Sequence, residues 1–249
     1  MNLLRVVFRV VHSLTLFGTI SATLPLEAAF ANGPYLVISS RRPDSDRSAL
    51  PMYGLTRNDL HYMLEFSTVR FAAPIRAIRT QVRVLDRQAD AVVLGTTEKL
   101  FNVMSDRHAV RIQSGRYLSA ADVTARNNVA VLAEPVAADL FRASDPIGRS
   151  VKVHGHYFLV VGTFRGKTDP DSNKALPGGM HIPLTTMRAR FGDRFFSDRQ
   201  GRREGVRFEL SQIWLAPTTP SALAPTRRMV ESLLGQAHET MDYSIDMVR

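Results

Sequence analysis

Between Gly115 and Gly162 the chain reads GRYLSAADVTARNNVAVLAEPVAADLFRASDPIGRSVKVHGHYFLVVG, and this segment constrains the fold more than any other. Its elements change every few residues, each for a local reason. Ser119 followed by Asp122 is a capping box, in which hydroxyl and carboxylate satisfy each other's free backbone N–H groups, so a helix starts there. Asn128–Leu132 is an apolar strand. Glu134–Phe141 places Val136, Ala137, Leu140 and Phe141 on one helical face. Asp145-Pro146-Ile147-Gly148 is a turn: proline fixes φ, aspartate bonds to the backbone ahead, and glycine tolerates positive φ. Ser150–Val153 and Tyr157–Val161 read as two strands joined at His154-Gly155-His156. The segment is a pattern of assembly and contains no catalytic motif.

The flanking sequence adds a strand-helix-strand unit on each side. Tyr35–Ser39 reads as a strand and Arg41–Tyr53, with Pro43 and Pro51, as a loop. Thr56 and Asp59 cap a helix with Leu60, Met63 and Leu64 on its apolar face. Val69–Leu85 is extended, with Ile75, Ile78, Val82 and Val84 facing inward; a strand at Ala91–Gly95 and a helical turn at Glu98–Phe101 follow. Gly166–Gly179, rich in turn formers, reads as a loop. On the far side come a strand end at Met180–Pro183, a helix at Leu184–Phe191 and a strand at Phe208–Ala216. A helix at Ser221–Ala237, with Ser221 as its cap and Val230, Leu233 and Leu234 on one face, and a strand at Tyr243–Val248 close the chain. The expectation is an α+β fold in two lobes. A split βαβ-type α+β lobe of residues 34–88 and 178–249 is interrupted by a smaller mixed α/β lobe of residues 89–177.

With 249 residues, 45% apolar and 22% charged, the chain is long and apolar enough to bury a core. Its net charge of +9 permits anionic partners. The densest basic cluster, Arg199, Arg202, Arg203 and Arg207, carries no nucleic-acid-binding pattern and reads as a solvated loop. The absence of cysteine excludes disulfides and thiolate chemistry. Residues 1–31 place Arg5 and Arg9 before a short apolar run and end in Ala29-Phe30-Ala31. They read as a secretory signal cleaved after Ala31, or as an N-terminal anchor if left uncut. After Pro34 charge interrupts every apolar run, so no further spanning helix is expected.

Candidate sites are few. His154 and His156 could approach one ion from the same strand face, but no third ligand follows at a defensible spacing, and a hairpin tip explains the Gly between them. His108 and His181 stand alone in sequence. His238 lies near Asp242, Ser244 and Asp246, without a nucleophile elbow. The segments 162–166 and 178–179 lack the endings of phosphate-binding loops, so ATP hydrolysis is not expected of this chain. Trp214, within FELSQIWLA, reads as core.

Gly115-Arg116-Tyr117, Val129-Ala130-Val131-Leu132, Val136-Ala137, Leu140-Phe141, Asp145-Pro146-Ile147-Gly148 and Val160-Val161-Gly162 stand in an order that resembles the MacB-like periplasmic core domain of ABC transporter permeases. Leu55-Thr56-Arg57-Asn58-Asp59, Gly95-Thr96-Thr97 and Ile182-Pro183-Leu184 resemble further segments of that family, so the likeness runs from about Pro34 to Arg249. It implies a two-lobed extracytoplasmic domain without catalysis, cofactor or metal, and hence no catalytic, cofactor-binding or metal residues. It also implies partners. A separately encoded membrane subunit and cytoplasmic ATPase, or a periplasmic adaptor, would work with a periplasmic chain held to the inner membrane only if its N-terminal segment is uncut. No nucleic acid is expected. Two readings stay beside it: a membrane-anchored fragment of a split permease, and a periplasmic hydrolase or metal-binding protein using His154 and His156. The resemblance also implies three later membrane helices, which are not expected within these 249 residues. The sequence has Leu132-Ala133 and Phe141-Arg142 where the family has Leu-Gly and Phe-Gly, so two tight turns are expected to differ.

Overall fold

The computed structural model describes residues 33–42, 53–142, 144–166, 178–199 and 202–248. In order they form β1 (Tyr35–Ser40), α1 (Arg57–Leu64), β2 (Val69–Val84), β3 (Arg87–Thr96), α2 (Lys99–His108), β4 (Arg111–Gly115) and α3 (Ala120–Ala125). Then come β5 (Val129–Ala133), α4 (Glu134–Phe141), β6 (Ser150–Val153), β7 (His156–Arg165), β8 (Met180–Pro183) and α5 (Leu184–Phe191). The chain continues through β9 (Arg194–Arg199), β10 (Arg202–Arg207), β11 (Gln212–Pro217), α6 (Leu223–Ala237) and β12 (Tyr243–Val248). The signal or anchor expected at residues 1–31 and most of the loops expected at 41–53 and 166–179 lie outside the described residues. No described helix is long and apolar enough to cross a membrane.

The fold is organised by a change of neighbours along β2, a strand of 16 residues. Its first half pairs antiparallel with β11, ending at Ile75↔Gln212. From Arg76↔Gly95 to Val84↔Arg87 it pairs with β3 instead. Beyond β11 the sheet continues through β1 to the edge strand β12, where Tyr35 lies opposite Val248. In the other direction β3, β8, β5, β7 and β6 follow one another, and β6 returns to β2 through the single pair Arg83↔Lys152. Six strands thereby close into a ring, with β4 added outside β7. The mixed α/β architecture agrees with the α+β expectation.

Alternation decides which core each side chain enters. Within the ring, Ile78 and Val82 of β2, Val93 of β3, Leu132 of β5, Val151 of β6, Phe158 of β7 and Ile182 of β8 meet in one buried cluster, covered by Val136, Leu140 and Phe141 of α4. On the other face Val129 and Val131 of β5 join Tyr35, Val37, Ile75 and Trp214 in a second cluster under Leu100, Val103 and Met104 of α2. Being buried on both faces, β5 has no polar residue. A third cluster sets Leu36, Ile38, Ile213 and Leu215 against Met63 of α1 and Val230 and Leu234 of α6. Buried alkyl area at roughly 25 cal/mol per Å² is the main stabilising term in all three.

Several elements differ from the sequence reading. The turn expected at Glu98–Phe101 extends to His108, because Leu100, Val103 and Met104 have a core to enter. Leu64 is exposed on α1 while Met63 takes the buried position. Ile75 faces a different cluster from Ile78 and Val82, since odd and even positions of a strand point to opposite faces; Val84 is only partly buried. The basic loop is a hairpin, with β9 and β10 pairing from Arg194↔Arg207 to Arg199↔Arg202. The strand expected from Phe208 begins at Gln212. Thr219, not Ser221, caps the start of the last helix: its hydroxyl accepts from the Ala222 N–H at the head of a 3-10 turn leading into α6.

Candidate functional site

The residues of the Gly115–Gly162 pattern sit at backbone crossings. Gly115 and Gly162 are register partners of β4 and β7. A Cβ on Gly162 would run into the Arg116 carbonyl, and one on Gly115 into the Val161 carbonyl. The Arg116 N–H donates to that Val161 oxygen at 2.9 Å. Arg116 also donates to both oxygens of Asp122, at 2.6 and 3.2 Å, and Asn127 Nδ2 donates to Oδ1 at 3.0 Å. Burial opposes ionisation of Asp122, but the donors Arg116, Asn127 and Ser119 outweigh it and hold the carboxyl well below the usual carboxylate range. The Ser119–Asp122 and Thr56–Asp59 capping boxes both form as the sequence predicts. In the Asp-Pro-Ile-Gly turn, Asp145 Oδ1 accepts from the Ile147 N–H and Gly148 has φ 76°.

The two departures from the family pattern have different outcomes. Ala133 caps α4 at φ −66°, a conformation open to any residue. Arg142 ends α4 at φ 54° and ψ −120°, a region that favours glycine.

The five candidate histidines fall into four environments. His238 Nδ1 lies 2.7 Å from Asp242 Oδ1, and Nε2 lies 3.2 Å from Asp59 Oδ2. Asp242 Oδ2 accepts from the Gly54 N–H at 2.6 Å, and Asp59 also receives the Thr56 N–H and hydroxyl. Both ring nitrogens are therefore occupied by carboxylates, and the cluster ties α6 to the start of α1 rather than activating Ser244, which lies on β12 opposite Ser39. His181 is fully buried, with Tyr117 Oη 2.9 Å from Nδ1 and the Phe164 ring stacked at 4.6 Å. Burial pushes its pKa down to about 3 and pushes the Tyr117 hydroxyl up. His154 and His156 both pack on Phe191, at 5.6 and 5.9 Å, and His154 Nε2 lies 3.0 Å from Thr80 Oγ1. Among the described residues no group of three or more His, Asp or Glu is placed to hold a metal. His108 ends α2, where burial and then Arg107 lower its pKa.

Sequence reasoning missed one ionic cluster. Arg76, buried in the middle of β2, donates to the Gly192 carbonyl and reaches Asp193 at 3.2 Å. Arg57 reaches the same Asp193 at 3.4 Å and Glu209 at 2.8 Å. Asp193 and Glu209 flank the β9–β10 hairpin, so its base is gripped by arginines from α1 and β2. A charged residue at an inward strand position is the signal that could have disclosed it. Trp214 is core, as expected, with Tyr35 edge-on at 6.0 Å.

The chain is a layered α/β domain whose motif residues serve turns and backbone crossings. The MacB-like periplasmic core domain matches residues 10–233, and the chain belongs to that family. It is 24% identical over 164 residues to a Bacillus subtilis (strain 168) protein named uncharacterized ABC transporter permease YknZ, covering 66% of this chain and 40% of that protein. It is 29% identical over 133 residues to the macrolide export ATP-binding/permease protein MacB of Rhodospirillum rubrum, covering 53% and 18%. The chain thus spans well under half the length of either relative. Its fold is that of the periplasmic region of MacB from Actinobacillus actinomycetemcomitans, with a TM-score of 0.65 at 19% identity, covering 85% of this chain and 87% of that one. The extracellular domain of the transporter YknZ from Gram-positive bacteria superposes with a TM-score of 0.63 at 16% identity, covering 85% and 99%. The family is one of transporter extracytoplasmic domains, not a known enzyme family.

Proposed function

We propose that this chain is a non-enzymatic extracytoplasmic interaction domain, working with a MacB-like ABC transporter permease, that contacts partner proteins or substrate during export or mechanical signal transmission. The observation that carries the reading is the family match over residues 10–233. The polar clusters support it: their carboxylates, imidazoles and guanidinia are engaged in holding elements together. In this reading a separately encoded membrane subunit and cytoplasmic ATPase, or a periplasmic adaptor, completes the machine. In this reading residues 34–88 with 178–249, and residues 89–177, form its two lobes, which share one sheet through the β2–β3, β3–β8, β5–β8 and β2–β6 pairs. Expression of the tagged full chain in a Gram-negative host, with cell fractionation, N-terminal sequencing and crosslinking to co-expressed transporter subunits, tests it. Extracytoplasmic exposure with a crosslink to a transporter subunit is the expected result. A cytosolic chain with Met1 intact would overturn it.

A second version keeps residues 1–31 as an uncut anchor of a split permease. The observation favouring it is that the family match begins at residue 10, inside the N-terminal apolar run. A mature N-terminus at Asn32 rejects the anchor; a chain with Met1 that stays in carbonate-washed membranes rejects the cleaved signal.

A further inference from the structure

The ring of strands is closed unequally. β6 pairs with β7 along all four of its residues, from Ser150↔Leu159 to Val153↔His156. On its other edge it meets β2 only at Arg83↔Lys152. β2, by contrast, is paired with β3 throughout this stretch. The facing edges of β2 and β6 border a cleft of about 850 Å³ lined by Thr80, Arg83, Leu85, Lys152, His154 and Tyr157 among others.

Three features of this seam run against what its own stability would select. Arg83 and Lys152 stand directly opposite each other, and like charges so placed repel. No carboxylate lines the cleft: Arg83 donates to Gln81 Oε1 at 2.8 Å, and Lys152 Nζ sits 5.4 Å from the Tyr157 ring centroid. Leu85 opens the two-residue β2–β3 turn at φ 52°, where glycine is favoured, and it is 97% exposed. Tyr157, in register with Lys152, is 61% exposed. A lysine on an edge strand often guards against unwanted pairing. That role accounts for Lys152, but not for an exposed leucine in a strained turn or an exposed tyrosine beside it. Apolar side chains ringed by uncompensated cations on an open strand edge are the makings of a docking surface.

We propose that the β2–β6 seam receives an extended acidic segment of a partner protein, which adds as a strand along it by displacing the single Arg83↔Lys152 pair. Its main chain meets the open edges, alternate carboxylates meet Arg83 and Lys152, and apolar residues between them rest on Leu85 and Tyr157. The inference deepens the reading of this domain as an interaction module and rests on it, by naming the chemistry of one partner surface.

The test uses the purified full chain in detergent and a fluorescent peptide of alternating Asp and Val. Its expected outcome is saturable binding that weakens with added salt, with slowed amide exchange in β6. The double variant Arg83→Glu/Lys152→Glu is expected to weaken binding by about tenfold or more, as lost charge complementarity would. Tyr157→Ser, at an exposed position, keeps the test open if the charge variant misfolds, and it too must weaken binding. A peptide carrying N-methyl groups on alternate amides must lose binding if the segment adds as a strand. Any of four outcomes overturns the proposal: no binding, binding unaffected by these variants, equal binding of a Lys-Val peptide, or full displacement by inorganic phosphate. Self-association through the same residues, seen by sedimentation without peptide, also overturns it by making a second copy the occupant. If the peptide fails while crosslinking to a transporter subunit succeeds, the seam falls and the functional reading stands.

Discussion

The two ends of β2 are held by different means. At its first half, four antiparallel strands are locked by polar clusters: the carboxylates of Asp59 and Asp242 grip His238, and Asp193 and Glu209 grip Arg57 and Arg76. At its second half, six strands wrap around an apolar interior, and the single-pair closure between β2 and β6 carries two facing cations. The ionic end fixes angles between elements, because charge-assisted hydrogen bonds are directional. Apolar burial gives bulk stability at both ends, because it is not directional. Apolar burial is therefore common to the whole sheet, and the polar clusters around His238 and Arg76 are what set its first half apart.

Substitutions can break that contrast. The largest expected effect is in the ring: Gly162→Ala forces a methyl group into the Arg116 carbonyl and should cost about 3 kcal/mol, read as a lower urea midpoint. At the other end Asp242→Ala removes one partner of His238 and strands the Gly54 N–H, for about 2 kcal/mol by the same measurement. A change at Asp242 as large as that at Gly162 would show that the ionic end carries stability as well as orientation.

Acid sharpens the comparison further. The His181 ring has a folded-state pKa of about 3, below the roughly 6.5 of an unfolded histidine. The unfolded chain therefore binds the extra proton between these values. Stability from this residue is complete above about pH 6.5 and is lost as pH falls toward about 3, by the same linkage. Asp122, its carboxyl held low, adds loss in the same direction as pH falls through the carboxylate range. In His181→Gln the decline in urea midpoint from pH 7 to pH 4 should be shallower than in the parent. An unchanged slope would mean that His181 is not buried as a neutral ring. The smallest effect is a gain: Arg142→Gly relieves the positive φ at the end of α4 and should raise stability by about 1 kcal/mol, seen as a higher Tm.

Much of this fold is legible in the sequence. The capping boxes at Thr56 and Ser119, the helices at 134–141 and 184–191 and the strand at 243–248 carry their reasons within a few residues. What was not legible depends on distant partners. The helix through His108 exists because Leu100, Val103 and Met104 meet strands separated from it in sequence. The closure of the ring rests on Arg83 meeting Lys152, 69 positions later, and no local pattern announces it. The grip of Arg57 and Arg76 on the hairpin base joins α1 and β2 to residues more than a hundred positions on. His154 and His156, adjacent in sequence logic as metal ligands, are drawn instead to the face of Phe191.

Tyr35 and Val248 lie side by side on β1 and the edge strand β12. Pulling those two points apart would not shear the six register pairs between the strands together. It would peel β12 away one rung at a time, beginning at Tyr35↔Val248 and ending at Ser40↔Tyr243. Under load at those points the domain behaves as a zipper, yielding gradually at its edge while the core strands behind stay shut.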